Sequence, residues 1–344
     1  MKPVVLASIL LILFPGASRA ATTEETCLLD ALKTATDDTT VAQLRTHCKI
    51  VSQPIGTAIA TENKADAAEQ KNEPVISNRL QRERYVDRNP FGLTAHRRNY
   101  FLPITYSQHP NAEPYAGEPN PNDYSLDNAE VKFQLSVKLP LIEEILTKDD
   151  SVYFGFTMQS FWQLYNDEIS APFRETNYEP EIYYQFVNDW EFAGWTNRLT
   201  RFGFVHQSNG RAQPYSRSWN RIFAQFLLEN DNWALSFKPW YRLPEDKKDD
   251  PSEADGDDNP DIDDYMGYFE LTAGTKYDDQ EFSVMLRNNL RTDNKGAVQL
   301  DWTFPLYGRL RGYAQYYNGY GESLLDYNAS IERVGIGFLL TDSL

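Results

Sequence analysis

A serine hydroxyl becomes a useful nucleophile only when a neighbouring base takes its proton, and imidazole is the side chain suited to that near neutral pH. Such a pairing stands in the run Phe202-Gly203-Phe204-Val205-His206-Gln207-Ser208-Asn209-Gly210. Side chains on a strand alternate faces, so Phe202, Phe204, His206 and Ser208 share one face and Arg201, Gly203 and Gln207 the other. After a polar turn, residues 216–226 repeat the alternation with Ser218, Asn220, Ile222, Ala224 and Phe226 together. A hairpin turning near Gln213-Pro214 would set His206 opposite Asn220 and Ser208 opposite Ser218. Hydroxyl, imidazole and carboxamide then meet on an otherwise apolar surface. A base needs a third group to fix its tautomer, and a neutral Asn serves in Cys-His-Asn sites. A carboxamide also suits a face turned to hydrocarbon, where an ionised carboxylate is costly. The Asn209-Gly210 turn can offer backbone N–H groups to an oxyanion. No G-x-S-x-G elbow occurs, which excludes an α/β-hydrolase site.

The elements that must position these groups are strands. Segments near 100–106, 131–139, 152–164, 182–186, 233–243, 266–277, 282–290, 298–304, 310–317 and 332–340 read as strands, and with the site hairpin they make about twelve. Residues 131–139 are the cleanest, apolar at odd positions and polar at even ones. An even number of short alternating segments predicts an all-β fold, a closed transmembrane antiparallel barrel with both ends on the periplasmic side. A soluble β-sandwich also alternates. Long polar loops alternating with short turns favour the membrane, as do an aromatic content of 14% and the terminal run Val334-Gly335-Ile336-Gly337-Phe338.

Residues 1–20 read as a cleaved signal peptide, with Lys2, an apolar run at 4–14 too short to span a bilayer, and small residues before Ala21. Cys27 and Cys48 lie within residues 21–50, whose apolar spacing predicts a helical hairpin that a disulfide would close in an oxidising compartment. Residues 51–88 read as a linker, and 89–344 as the barrel. The formal charge of −17 argues against nucleic acid and against an anionic membrane surface. Residues 245–264 hold eleven acidic residues against two lysines and read as a solvated loop. Pro260 and Met266 stand where an EF-hand needs glycine and glutamate. A serine hydrolase on the outer wall of a barrel would meet acyl esters directly from the bilayer, which points to phospholipid ester hydrolysis. A passive porin and an adhesin displaying the acidic loop are the rival readings.

Val205-His206-Gln207-Ser208-Asn209-Gly210-Arg211, followed by Ser216-Arg217-Ser218-Trp219-Asn220-Arg221, resembles the active-site hairpin of the outer membrane phospholipase A family. Further similarity lies in Pro172-Phe-Arg-Glu-Thr-Asn-Tyr-Glu-Pro180, Asp258-Asn-Pro-Asp-Ile262, Tyr320-Gly-Glu-Ser-Leu324 and Arg333-Val-Gly-Ile-Gly337, spanning about residue 89 to the C-terminus. The resemblance implies a twelve-stranded, calcium-dependent enzyme of the Gram-negative outer membrane, active as a homodimer, that cleaves sn-1 and sn-2 esters of glycerophospholipids and lysophospholipids. It implies Ser208 as nucleophile, His206 as base, Asn220 as its orienting partner and the Gly210 N–H as oxyanion donor. It implies calcium held by the Arg211 carbonyl and the Ser216 hydroxyl, joined by the Ser170 carbonyl of a second subunit. Two departures stand out: Met158 where some relatives carry a glutamine thought to pair across the dimer, and Gln213 where some carry an aspartate.

Overall fold

The computed structural model describes residues 75–77, 79, 80, 83, 93–115, 125–250, 253, 256–308 and 310–341. The signal peptide, the helical hairpin with Cys27 and Cys48, and most of the 51–88 span lie outside the described residues. In chain order the strands are β1 (Thr94–Ala95), β2 (Asn99–Ser107), β3 (Ala129–Glu143), β4 (Asp150–Trp162), β5 (Phe173–Phe192), β6 (Trp195–Ser208) and β7 (Ser218–Asn230). They continue as β8 (Trp233–Leu243), β9 (Phe269–Tyr277), β10 (Gln280–Asn288), β11 (Gly296–Tyr307), β12 (Leu310–Tyr320) and β13 (Ser330–Thr341). From β2 to β13 each strand pairs antiparallel with the next in sequence, and β13 pairs back onto β2. Setting aside the two-residue β1, which pairs only with β3, twelve strands close into a barrel with no free edge.

The alternation legible in 131–139 is realised on β3. Lys132, Ser136 and Lys138 are buried inside, while Leu135 is 45% exposed on the outer wall. Elsewhere the outer wall carries Ile182, Phe202, Phe204, Ile222, Phe282 and Ile336, all exposed. In water such a band would be severely unfavourable; in a bilayer it is the matched surface.

Charge that water would otherwise solvate is neutralised pairwise inside the barrel. Arg174 bonds Glu130 at 3.1 Å and Asp326 at 2.8 Å, Arg333 bonds Glu130 and Glu322 at 2.8 Å, and Lys132 reaches Glu322 at 3.0 Å. The 321–329 loop supplies Glu322 and Asp326 because it folds into the mouth of the barrel, with Leu324 and Leu325 buried beside them. The Leu324 N–H donates to Asn177 Oδ1 of β5 at 2.9 Å. A polar cavity of about 230 Å3 remains inside. The filled mouth and the paired lumen leave little for the porin reading.

Two segments exceed what local pattern indicated. β5 has 20 residues rather than the five at 182–186, because Glu175, Glu179 and Glu181, which look like loop residues, point inward. Glu179 pairs with Arg97 and Arg221, and Glu181 with His96 and Lys238, so the acidic face of β5 is a lumen face. Within the span read as a linker, residues 75–77, 79, 80 and 83 are helical. Ile76 and Leu80 pack with Leu199, Leu227 and Ala234, the Ile76 N–H donates to Glu229 at 2.9 Å, and Glu83 receives Lys138 at 2.7 Å.

Candidate active site on the outer wall

The site hairpin is β6 and β7. Its register pairs His206 with Asn220 and Ser208 with Ser218, as the sequence predicts. Parity is fixed by what lies on the opposite face: Val205 and Trp219 are fully buried inside the barrel and Arg221 nearly so. Gln207 Oε1 accepts from Trp219 Nε1 at 2.8 Å and from Arg221 Nη2 at 3.0 Å, and the Arg221 guanidinium lies 3.8 Å from the Trp219 ring centroid. A slip of one residue would turn these anchors to lipid, so the inner face holds the outer face in place. His206, Ser208 and Asn220 therefore emerge outward, above the apolar Phe204 and Ile222. His206 Nδ1 and Asn220 Oδ1 stand 2.9 Å apart. With the amide oxygen accepting, the proton belongs on Nδ1, and Nε2 is left with its lone pair, the state a general base requires.

The 209–217 loop is held by Asn209, only 4% exposed. Its backbone N–H donates to the Arg217 carbonyl at 3.1 Å and its Nδ2 to the Tyr215 carbonyl at 2.8 Å. Its Oδ1 accepts the N–H groups of Arg217 at 3.0 Å and Arg211 at 3.3 Å. Gly210 follows at φ +64, a left-handed conformation that β-carbon-bearing residues adopt reluctantly. The Arg211 guanidinium donates to the Arg174 carbonyl at 2.8 Å and stacks over Tyr215. Ser216 donates its hydroxyl to Asp258, which also accepts from Gln213 Nε2 at 2.6 Å and pairs with Lys248. Ser170 is exposed in the loop between β4 and β5, with φ +61.

Sequence reasoning overlooked the second half of the acidic loop. Rather than lying wholly in water, residues 256–262 return against the hairpin. Asn259 and Ile262 are fully buried, and the Ser218 N–H donates to Asn259 Oδ1 at 3.0 Å. Arg242 binds both Asp257 oxygens at 2.7 and 2.8 Å, and the short helix α1 (Ile262–Met266) packs its Ile262 and Met266 with Trp219, Trp240 and Leu324. The apolar Ile262 and Met266 among so many carboxylates were the available signal. Glu245 was also overlooked; its Oε1 accepts from Asn220 Nδ2 at 2.9 Å.

A closed barrel, apolar without and ionic within, that sets imidazole, carboxamide and serine together on its outer wall defines a class: an integral β-barrel of the outer membrane with hydrolase-like groups facing the bilayer. Residues 76–340 match the phospholipase A1 family. Phospholipase A1 of Escherichia coli K12 is 41% identical over 268 residues, 78% of this chain and 86% of its own length. A putative phospholipase A1 of Neisseria meningitidis is 38% identical, over 74% of this chain and 67% of its own. The outer membrane phospholipase A structure from Escherichia coli superposes with a TM-score of 0.67 at 41% identity, covering 74% of this chain and 93% of that one. The Salmonella typhi outer membrane phospholipase, solved as a dimer with bound calcium, gives the same TM-score at 40% identity, covering 74% of this chain and 94% of that one. The chain belongs to the phospholipase A1 family, and it is an outer-membrane β-barrel phospholipase.

Proposed function

We propose that Ser208, His206 and Asn220 carry out the hydrolysis and that the reaction is calcium-dependent, cleaving sn-1 and sn-2 acyl esters of glycerophospholipids and lysophospholipids. The observation that carries this reading is the 2.9 Å contact between His206 Nδ1 and Asn220 Oδ1 on the lipid-facing wall, one strand step from Ser208. Residues i and i+2 of a strand rise about 7 Å apart on one face, a spacing that two side chains can bridge, so the Ser208 hydroxyl shares its face with the imidazole.

Ser208 Oγ attacks the ester carbonyl as its proton passes to His206 Nε2. The oxyanion accepts the Gly210 N–H, and the imidazolium, held in plane by Asn220, returns the proton to the departing glycerol oxygen. Water then enters, gives a proton to His206 and attacks the acyl-enzyme, and the imidazolium returns that proton to Ser208 Oγ as the acyl bond breaks, releasing fatty acid and free Ser208. Substrate enters laterally from the leaflet, past Phe204 and Ile222, so no pore is required.

Calcium would be held by the Arg211 carbonyl, the Ser216 hydroxyl and the Ser170 carbonyl of a second copy. The donors fit a hard cation because all are oxygens, and the Asp258 carboxylate beside the Ser216 hydroxyl adds negative charge to that corner. When bound, calcium supplies positive charge that stabilises the oxyanion. The related Salmonella enzyme, a dimer with bound calcium, supports both the ion and the homodimer, as does the exposed position of Ser170. Met158 lies on β4 between Leu135 and Tyr178 on the outer wall. With methionine rather than glutamine there, association rests on apolar packing and not on an amide pair across the interface. Export through cleavage of residues 1–20 completes the proposal.

The test is hydrolysis by purified protein in mixed micelles of detergent and position-labelled phospholipid. Fatty acid is expected from both positions with calcium, and the rate should fall by at least about 100-fold with chelator. An undiminished rate in chelator removes the calcium dependence, and release from one position only corrects the regiochemistry. Gly210→Ala is expected to lower kcat about tenfold with the barrel intact. A β-carbon there would meet Tyr178 at an acceptable 3.4 Å, but the left-handed backbone would carry about 1–2 kcal/mol of strain and draw the N–H off the oxyanion.

A further inference from the structure

We infer that Glu245 is a positioning residue of the catalytic apparatus, extending the serine, histidine and asparagine arrangement by a fourth group at the membrane rim. The inference rests on the triad reading above and deepens it. β8 turns its odd-numbered residues outward: Tyr241 is 61% exposed, and Leu243 pairs with Asn220 across the ladder. Glu245 continues that parity just past the strand end, at Pro244-Glu245, and its carboxylate reaches back to the carboxamide. The result is one line of hydrogen bonds, His206 Nδ1 to Asn220 Oδ1 at 2.9 Å and Asn220 Nδ2 to Glu245 Oε1 at 2.9 Å.

A carboxamide alone is an ambiguous partner for imidazole, because its two ends are nearly the same shape and chemically opposite. Turned about, it would donate to Nδ1, stabilise the Nε2–H tautomer and leave no lone pair for Ser208. A carboxylate can only accept, so Glu245 fixes the amide nitrogen toward itself and the amide oxygen toward His206. Its charge also polarises the amide, making Oδ1 a stronger acceptor for the imidazolium that forms as Ser208 attacks. The placement answers a physical problem. A carboxylate at position 220 itself would sit on the hydrocarbon-facing wall, whereas one at 245 lies beyond the end of β8, only partly exposed and within reach of water. The amide carries the influence of the charge inward while the charge stays at the rim.

The test is a mutant cycle on full-length protein in calcium-containing mixed micelles, reading kcat and KM separately. Glu245→Ala is expected to lower kcat about tenfold with KM unchanged, and Glu245→Gln, which keeps an acceptor but no charge, about threefold. Because Glu245 acts through Asn220, adding Glu245→Ala to Asn220→Ala should cost nothing further. Asn220→Asp sets two carboxylates against each other and should be poorly active, and adding Glu245→Gln, which restores a donor between them, should recover it about tenfold. A merely structural Glu245 predicts no such rescue. Wild-type kcat in Glu245→Ala, or losses that multiply in the double variant, overturns the inference and leaves the triad standing. Undiminished kcat in Asn220→Ala overturns the triad reading itself, and the inference with it.

Discussion

Ser208→Ala is expected to lower phospholipid hydrolysis by at least about 10^4-fold, with the barrel still folded, since removing a nucleophile removes the covalent route and leaves only what the oxyanion donors and substrate binding contribute. Among the described residues, no hydrogen bond of the fold depends on the Ser208 hydroxyl. The inner anchors Val205, Gln207, Trp219 and Arg221 hold β6 and β7 in register without it. The retained heat-dependent gel shift of a folded barrel, measured beside fatty acid release, checks the first half of the expectation. Ser218 gives an internal control. It stands directly opposite Ser208 on the same face but two residues from Asn220, and its backbone N–H, not its hydroxyl, makes the bond to Asn259. Ser218→Ala should therefore keep most of the activity. If Ser208→Ala hydrolyses phospholipid at the native rate, or if Ser218→Ala shows the larger loss, the chemistry belongs to other residues.

What could be read ahead of the structure, and what could not, divides along the range of the interactions. Parity in residues 131–139, 202–208 and 218–226 is a local property, because a barrel wall imposes a period of two on every strand, and it was enough to place His206 opposite Asn220. The length of β5 was hidden, since Glu175, Glu179 and Glu181 are tolerable in a strand only when cations from other strands, Arg97, Arg221 and Lys238 among them, arrive inside the same closed cylinder. For the same reason residues 256–262 resembled solvated loop: eleven acidic residues in 245–264 dominate the composition, while the decisive contacts of Asn259 with β7 and of Ile262 with Trp219 are 41 or more residues apart in sequence. The acidic character that marks Glu245 as part of a loop also supplies the acceptor that Asn220 uses. Composition describes the solvent a segment prefers on average and is silent about the one side chain that turns back.

Glu322→Ala should destabilise the barrel by about 3–5 kcal/mol, the cost of leaving buried cations without their anion. Glu322 is the shared acceptor for Lys132 Nζ at 3.0 Å and for Arg333 Nε at 2.8 and 3.0 Å, with every partner side chain no more than 3% exposed. Without it Lys132 keeps neutral partners, the Gln315 oxygen at 2.7 Å and the rings of Phe161 and Tyr317, whereas Arg333 still reaches the Glu130 carboxylate at 2.8 Å, so the penalty falls mainly on Lys132. Lys132→Met in the same chain should accordingly recover much of the loss, which a simple packing defect at position 322 would not allow. Urea unfolding in lipid vesicles, comparing the single and double variants, measures both effects. A single variant within about 1 kcal/mol of the parent would mean that water reaches the lumen cations and the network is not dry. The consequence for the site runs through the 321–329 loop, which Glu322 and Asp326 hold inside the mouth and which places Leu324 in one buried cluster with Trp219 and Val205, the inward neighbours of Asn220 and His206. Loosening that loop should therefore lower kcat before it unfolds the wall, because an outward-facing active site on a single sheet has only the barrel interior to hold it rigid.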